Sequence, residues 1–79
     1  MPKSVKVYST PTCPYCIRTK QFLSDNNIAF ENFDVAADQA KADEMIQKSG
    51  QMGVPVLDIE GEIIVGFDKE KIKQALGLS

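Results

Sequence analysis

The sequence predicts an α/β chain of order β-α-β-α-β-β-α, and three observations carry that reading. An alternating apolar strand at residues 5–8 is followed closely by a helix that opens on Pro14. Strand-period and helix-period segments then alternate along the chain. A Glu60-Gly61 turn and a capped helix close it.

Val5 and Val7 alternate with Lys6 and Tyr8, which makes a first strand. Residues 9–12, with Pro11, read as a loop. Pro14 suits the first turn of a helix, where a missing N–H does no harm. Cys16, Thr19, Phe22 and Leu23 fall on one face of that helix, with Thr19 as the polar exception, and Asp25-Asn26-Asn27 stops it. Residues 28–35 read as a second strand. Ile28 and Phe30 share one parity, Phe33 and Val35 the other, so a bulge or an early end is expected near Asn32.

Asp38 is the expected cap of a second helix. Its apolar stripe is Ala42, Met45, Ile46 and Ser49, and Gly50 stops it. After a loop at 51–53, residues 54–59 read as a third strand, which Glu60-Gly61 turns into a fourth at 62–65. Gly66-Phe67 leads to a last helix capped by Asp68, apolar at Ile72, Ala75 and Leu76, and ended by Gly77. The first two strands are joined through a helix, so they should be parallel with a right-handed crossover. The last two should form an antiparallel hairpin.

At 79 residues the chain is expected to be a single domain, 1–79, with a modest core. Its 43% hydrophobic and 25% charged content is that of a globular protein. A net charge of −2, with both signs interspersed, gives no reason to expect nucleic acid or an anionic membrane as partner. No apolar run approaches the ~20 residues that span a bilayer. Met1-Pro2-Lys3-Ser4 carries no apolar signal region, so the cytoplasm is the expected compartment. There, two cysteines are more often reactive than structural. The chain has no histidine, which removes Cys–His pairs, Ser–His–Asp triads and histidine metal ligands together.

Cys13-Pro14-Tyr15-Cys16 is the one strong chemical motif. Cysteines three apart on a helical turn lie roughly 5–6 Å apart at Cα, inside the range a disulfide tolerates. Cys13 lies just before the helix, where free N–H groups and the helix dipole favour a negative sulfur. It is the expected nucleophile, since the thiolate and not the thiol attacks. Cys16 lies a turn further in, on the face that meets the sheet, and is expected to keep a higher pKa and to resolve. A structural disulfide, half a zinc site and an inert core pair compete with this reading. The missing export signal opposes the first. Zinc wants four ligands, and the chain offers neither a third cysteine nor a histidine. The strand-to-helix junction opposes the third.

With these residues in view, the sequence resembles the glutaredoxins. Val7 to Thr12 followed by Cys13-Pro14-Tyr15-Cys16 is similar to the family's active-site segment. Val54-Pro55 is similar to its Val-Pro pair, whose peptide bond is cis, and Gly66-Phe67-Asp68 to its later Gly-x-Asp segment. The resemblance implies a thioredoxin fold with a four-stranded mixed sheet flanked by helices. It implies reduction of protein disulfides and protein–glutathione mixed disulfides by a monomer, with glutathione as electron-donating co-substrate and no resident cofactor or metal. Family glutathione contacts carry over to Cys13, Tyr15, Val54 and Asp68, with Pro55 shaping the groove.

Each of these residues has a plainer role open to it: Tyr15 as an exposed aromatic, Val54 and Pro55 as a strand start, Asp68 as a helix cap. The sequence also departs from the family. Thr10 stands where many members carry lysine, Gln51-Met52-Gly53 replaces a loop that commonly holds a basic residue, and Val65-Gly66 replaces a Gly-Gly pair. Two related activities therefore stay open. One is a glutaredoxin-like electron donor, for instance to ribonucleotide reductase, recharged by thioredoxin reductase; Gly66-Phe67 is somewhat similar to that group. The other is a dimer holding an iron–sulfur cluster through Cys13 and glutathione.

Overall fold

The order of elements is the expected one. In the computed structural model, which describes residues 4–77, they are β1 (Val5–Ser9), α1 (Pro14–Asp25), β2 (Glu31–Asp34), α2 (Gln39–Ser49), β3 (Val56–Ile59), β4 (Glu62–Val65) and α3 (Lys69–Leu76). Residues 1–3, read above for an export signal, lie outside the described residues. The sheet order is β2-β1-β3-β4. β1 and β2 are parallel, with Lys6 opposite Glu31 and Ser9 opposite Asp34. β1 and β3 are antiparallel, as are β3 and β4. This is the mixed four-stranded sheet of the thioredoxin fold. No described helix is long and apolar enough to cross a membrane.

The sheet is covered on both faces, and that explains where the sequence pattern misled. Val5, Val7, Leu57, Ile59 and Ile64 meet Leu23 of α1 and Ile72 of α3 on one face. Tyr8 and Val56 meet Met45 of α2 on the other. Tyr8, which alternation placed with the polar Lys6, is fully buried. Its ring lies 5.3 Å from that of Phe33. Its hydroxyl donates to Glu44 at 3.0 Å and accepts from Lys48 at 3.1 Å. Asp58 points the same way and takes Lys48 Nζ at 2.6 Å.

Three expected boundaries are corrected. The second strand begins at Glu31 rather than 28, because the Ile28 N–H is still held by Leu23 O at 2.9 Å, at the end of α1. Its register runs unbroken through Asn32 to Asp34, with no bulge. The two parities face two cores: Ile28 and Phe30 pack with the α1/α3 cluster, Phe33 and Val35 with the α2 cluster. The third strand begins at Val56 rather than 54, since Pro55 has no N–H for a ladder. Ser9, read as loop, belongs to β1.

The helix ends follow their sequence signals. Cys13 caps α1 with Pro14 in the first turn, and the Asn26 side chain donates to Phe22 O at 2.8 Å at its end. Thr19, the polar exception on the buried face, donates its hydroxyl to Tyr15 O at 2.8 Å and so loses no hydrogen bond by burial. Asp38 and Asp68 accept the N–H groups of Lys41 and Lys71, each at 3.2 Å. Such caps contribute about 1 kcal/mol each. The β3–β4 turn takes left-handed backbone at Glu60 (φ 53°) and Gly61 (φ 90°), and Asp58 Oδ1 accepts the Gly61 N–H at 2.9 Å.

Candidate active site

β1 ends at Ser9, and a four-residue bridge delivers the chain to α1, with the Cys13 N–H held by Thr10 O at 3.4 Å. Cys13 is the N-cap, with extended backbone (φ −88°, ψ 114°). In most helices an oxygen fills this role. Here the Cys13 sulfur accepts the backbone N–H of Cys16 at 3.1 Å. The helix start thus gives the sulfur a backbone hydrogen-bond donor at the positive end of the helix dipole. Cys13 is half-buried, so a substrate sulfur has access to it.

Cys16 is fully buried one turn on. Burial pushes its thiol up to about 11; a hydrogen bond with Cys13 adds to the rise, while a backbone hydrogen bond from Thr10 and the charge of Lys20 oppose it. Both cysteines are free, so the arrangement is the reduced dithiol. The two sulfurs are therefore unlike: one reachable and capped by N–H, the other dry and protonated at neutral pH. Nothing in the sequence marks the Thr10 contact, because it is made by the backbone. Lys20 could have been found from its i+4 spacing to Cys16.

The second wall comes from the loop before β3. The Val54–Pro55 peptide bond is cis. Val54 O lies 3.9 Å from the Cys13 sulfur, within reach of its S–H. Pro55 is fully buried beneath, and its carbonyl accepts the Gly66 N–H at 2.8 Å. That bond ties the 66–68 segment to the proline. Cys13, Cys16, Val54 and Pro55 are thus brought together, and Asp68 is linked to them through Gly66. Tyr15 is 59% exposed and projects from the first turn of α1, with the Arg18 guanidinium 5.7 Å from its ring centre. Asp68 is occupied as the α3 cap, and Lys71 Nζ stands 4.0 Å from its other oxygen.

The loop that departs from the family has its own device. Gln51 Oε1 accepts the Gly53 N–H at 2.8 Å, and Nε2 donates to Gly53 O at 2.9 Å. This neutral clamp holds the turn and leaves Met52 77% exposed. Among the described residues, no three His, Cys, Asp or Glu side chains converge as a metal site needs.

Residues 5–64 match the glutaredoxin family model. The chain is 49% identical over 72 residues to an uncharacterized glutaredoxin-like 8.6 kDa protein in the rubredoxin operon of Clostridium pasteurianum, covering 91% of this chain and 96% of that one. It is 38% identical over 65 residues to glutaredoxin 3 of Escherichia coli strain K12, covering 82% and 78%. Among solved structures, the thioredoxin-like protein BC3987 superposes with a TM-score of 0.87 at 38% identity, covering 92% of this chain and 100% of that one.

Proposed function

The chain belongs to the glutaredoxin family and is a thiol–disulfide oxidoreductase; from that premise we propose that glutathione drives it and that it reduces protein disulfides and protein–glutathione mixed disulfides in the cytoplasm as a monomer. The observation that carries the reading is the asymmetry of the dithiol: a half-buried Cys13 capped by the Cys16 N–H, and a fully buried Cys16.

In this mechanism the Cys13 thiolate attacks one sulfur of the substrate disulfide. The S–S bond breaks, and the electron pair leaves on the second substrate sulfur, which takes a proton. The mixed disulfide on Cys13 then has two fates. Cys16 loses its proton and attacks the Cys13 sulfur, which expels the substrate sulfur first attacked; that sulfur takes a proton, and a Cys13–Cys16 disulfide remains. Two glutathione molecules return that disulfide to the dithiol and become glutathione disulfide. When the adduct on Cys13 is glutathione itself, a second glutathione resolves it directly and Cys16 is not needed. Glutathione is a co-substrate here, and the protein needs no resident cofactor.

We assign the glutathione contacts to Tyr15, the Val54 backbone beside Pro55, and Asp68. Support comes from Val54 O lying at the Cys13 sulfur and from the bond that ties Gly66 to Pro55. The residue before a proline is held extended, which suits pairing with a peptide-like ligand. A helix start also favours a carboxylate.

Two observations favour a second reading, recharge by thioredoxin reductase. Thr10 supplies no charge where many family members place a lysine, and the Gln51–Gly53 clamp supplies none in the proline loop. The deciding experiment runs a deglutathionylation assay with glutathione and glutathione reductase beside one with thioredoxin reductase. Turnover in the first is expected; turnover confined to the second overturns the donor assignment.

A further inference from the structure

A groove of about 350 Å³ runs along α1 away from the dithiol. Ile17, Arg18 and Phe22 form one side of it and Phe67 and Lys69 the other, with Asp25 at its far end. Its volume is at the small end of ligand pockets, with room for a side chain or two. The floor is aromatic, with the Phe22 and Phe67 ring centres 6.1 Å apart and edge to face. Ile17 is 55% exposed beside it, an aliphatic side chain left unused by either core.

Two of the three charges lining the groove, Arg18 and Lys69, are cationic. Arg18 stands over the Tyr15 ring and Lys69 over the Phe22 ring, each at 5.7 Å. Among the described residues, neither has a carboxylate within 4.0 Å. Asp25 accepts from the Gln21 amide at 2.8 Å and keeps its negative charge at the far end, away from the two cations' ring contacts. In a chain of net charge −2 this is a local positive patch on an apolar floor.

Both walls are tied through the backbone to segments that form the dithiol site. The Ile17 N–H bonds Cys13 O at 3.2 Å, and Phe67 follows Gly66, whose N–H bonds Pro55 O at 2.8 Å. Ile17 lies about one helical turn beyond Cys13, so the residues next to a disulfide held at Cys13 have the groove within reach. We propose that the groove docks the segment of a protein substrate next to its disulfide, an acidic-apolar stretch whose aliphatic or aromatic side chain packs onto the Phe22 and Phe67 rings while its carboxylates meet Arg18 and Lys69. The proposal rests on the disulfide-reductase reading and names the protein class that reading serves best. Charges at such a rim act mainly on encounter rate and on salt dependence.

The test is a single-turnover reduction by the pre-reduced protein, which supplies both electrons itself and so needs no donor. Two peptides carry the same intramolecular disulfide, one with a Leu-Glu tail and one with a Leu-Lys tail; neutral hydroxyethyl disulfide is the control. At low salt the acidic peptide is expected to react about tenfold faster than the basic one, and added salt should close the gap. The double variant R18E/K69E should reverse the preference and leave the hydroxyethyl disulfide rate unchanged. Equal rates for the two tails in the unaltered protein overturn the docking site. So does a loss in the variant that falls equally on glutathione disulfide, which makes the groove a subsite for that small ligand. A concentration-dependent dimer that the variant abolishes would overturn it too, by giving the groove to a second copy. Failure of the unaltered protein to reduce any of the three disulfides strikes the reductase reading instead.

Discussion

The Cys16 backbone donates its N–H to the Cys13 sulfur at 3.1 Å, while the Cys16 side chain lies fully buried behind it. One residue therefore serves the nucleophile twice, through a backbone group that no side-chain substitution removes and through a thiol that one does. Cys16→Ser should accordingly keep reduction of glutathione adducts and lose most dithiol reduction of protein disulfides. Cys13→Ser should abolish both. Steady-state assays on a glutathionylated peptide and on a protein disulfide separate the two activities, and equal loss from both changes contradicts the division of roles.

The burial that pushes the Cys16 thiol up to about 11 predicts its labelling behaviour. Only the thiolate alkylates, and at pH 7 a thiol of that pKa is ionised at roughly one part in 10⁴. Iodoacetamide followed by peptide mapping should therefore mark Cys13 in the native protein at neutral pH. Cys16 should be marked only after unfolding or as the pH approaches 11. Labelling of Cys16 at a rate matching that of Cys13 at pH 7 contradicts the assignment.

Asp68 holds two proposed duties that one pair of substitutions separates. Asp68→Ser keeps an oxygen for the Lys71 N–H, so stability should change by only a few tenths of a kcal/mol. Asp68→Ala loses the cap and should cost about 1 kcal/mol. Both remove the carboxylate and should raise the KM for glutathione alike. An unchanged KM in Asp68→Ser leaves the residue as a cap alone.

Much of this was legible before the structure. Pro14, Asp38, Gly50, Asp68 and Gly77 act locally, through φ preference or a side chain reaching its own backbone, and each sits where its type predicts. The dithiol was legible for the same reason, since its spacing along one helical turn is local. Asp58 and Tyr8 were not. In a sheet buried on both faces, alternation no longer separates core from solvent. Asp58 within β3 reads as a solvent-facing residue, yet it is 9% exposed because Lys48 arrives on α2 to meet it. That pairing is fixed by how α2 lies across the sheet, which no local pattern encodes. The Gln51 clamp is local too, but a glutamine two residues before a glycine is too common a pattern to signal a turn.

The Lys48–Asp58 pair gives a pH signature. Burial alone would raise the Asp58 carboxyl, but the Lys48 hydrogen bond, helped by the Gly61 N–H, holds it below its ordinary value. Its stabilisation is thus present above the unfolded-state pKa of ~3.9 and is lost as pH falls through the lower folded value. The hydrogen bonds to Asp58 and Tyr8 hold Lys48 above its ordinary value, so its share is present below ~10.4 and lost as pH climbs past the raised value. Asp58→Asn should cost about 2 kcal/mol at neutral pH. Urea titrations across pH should show the gap between the unaltered protein and the variant closing in acid.

Leu23 packs wholly inside the α1/α3 cluster with Val7, Leu57 and Ile72. Leu23→Ala should cost about 3 kcal/mol, the range for a truncated core leucine. In a chain of 79 residues that is a large part of the total, and it shows as a lowered urea midpoint.

The two covers of the sheet are fastened by different means. α1 and α3 meet it through an apolar cluster of aliphatic side chains with Phe22 and Phe67 against them, whereas α2 adds a polar chain from Lys41 through Glu44 and Tyr8 to Lys48 and Asp58. Hydrocarbon contact weakens on cooling and barely responds to protons, while paired charges respond to protons and ionic strength. Amide hydrogen exchange should accordingly find α2 loosening first in acid or brine. The layer that carries the dithiol keeps its footing there, so the redox helix is anchored by the adhesive least sensitive to a shift in cellular pH.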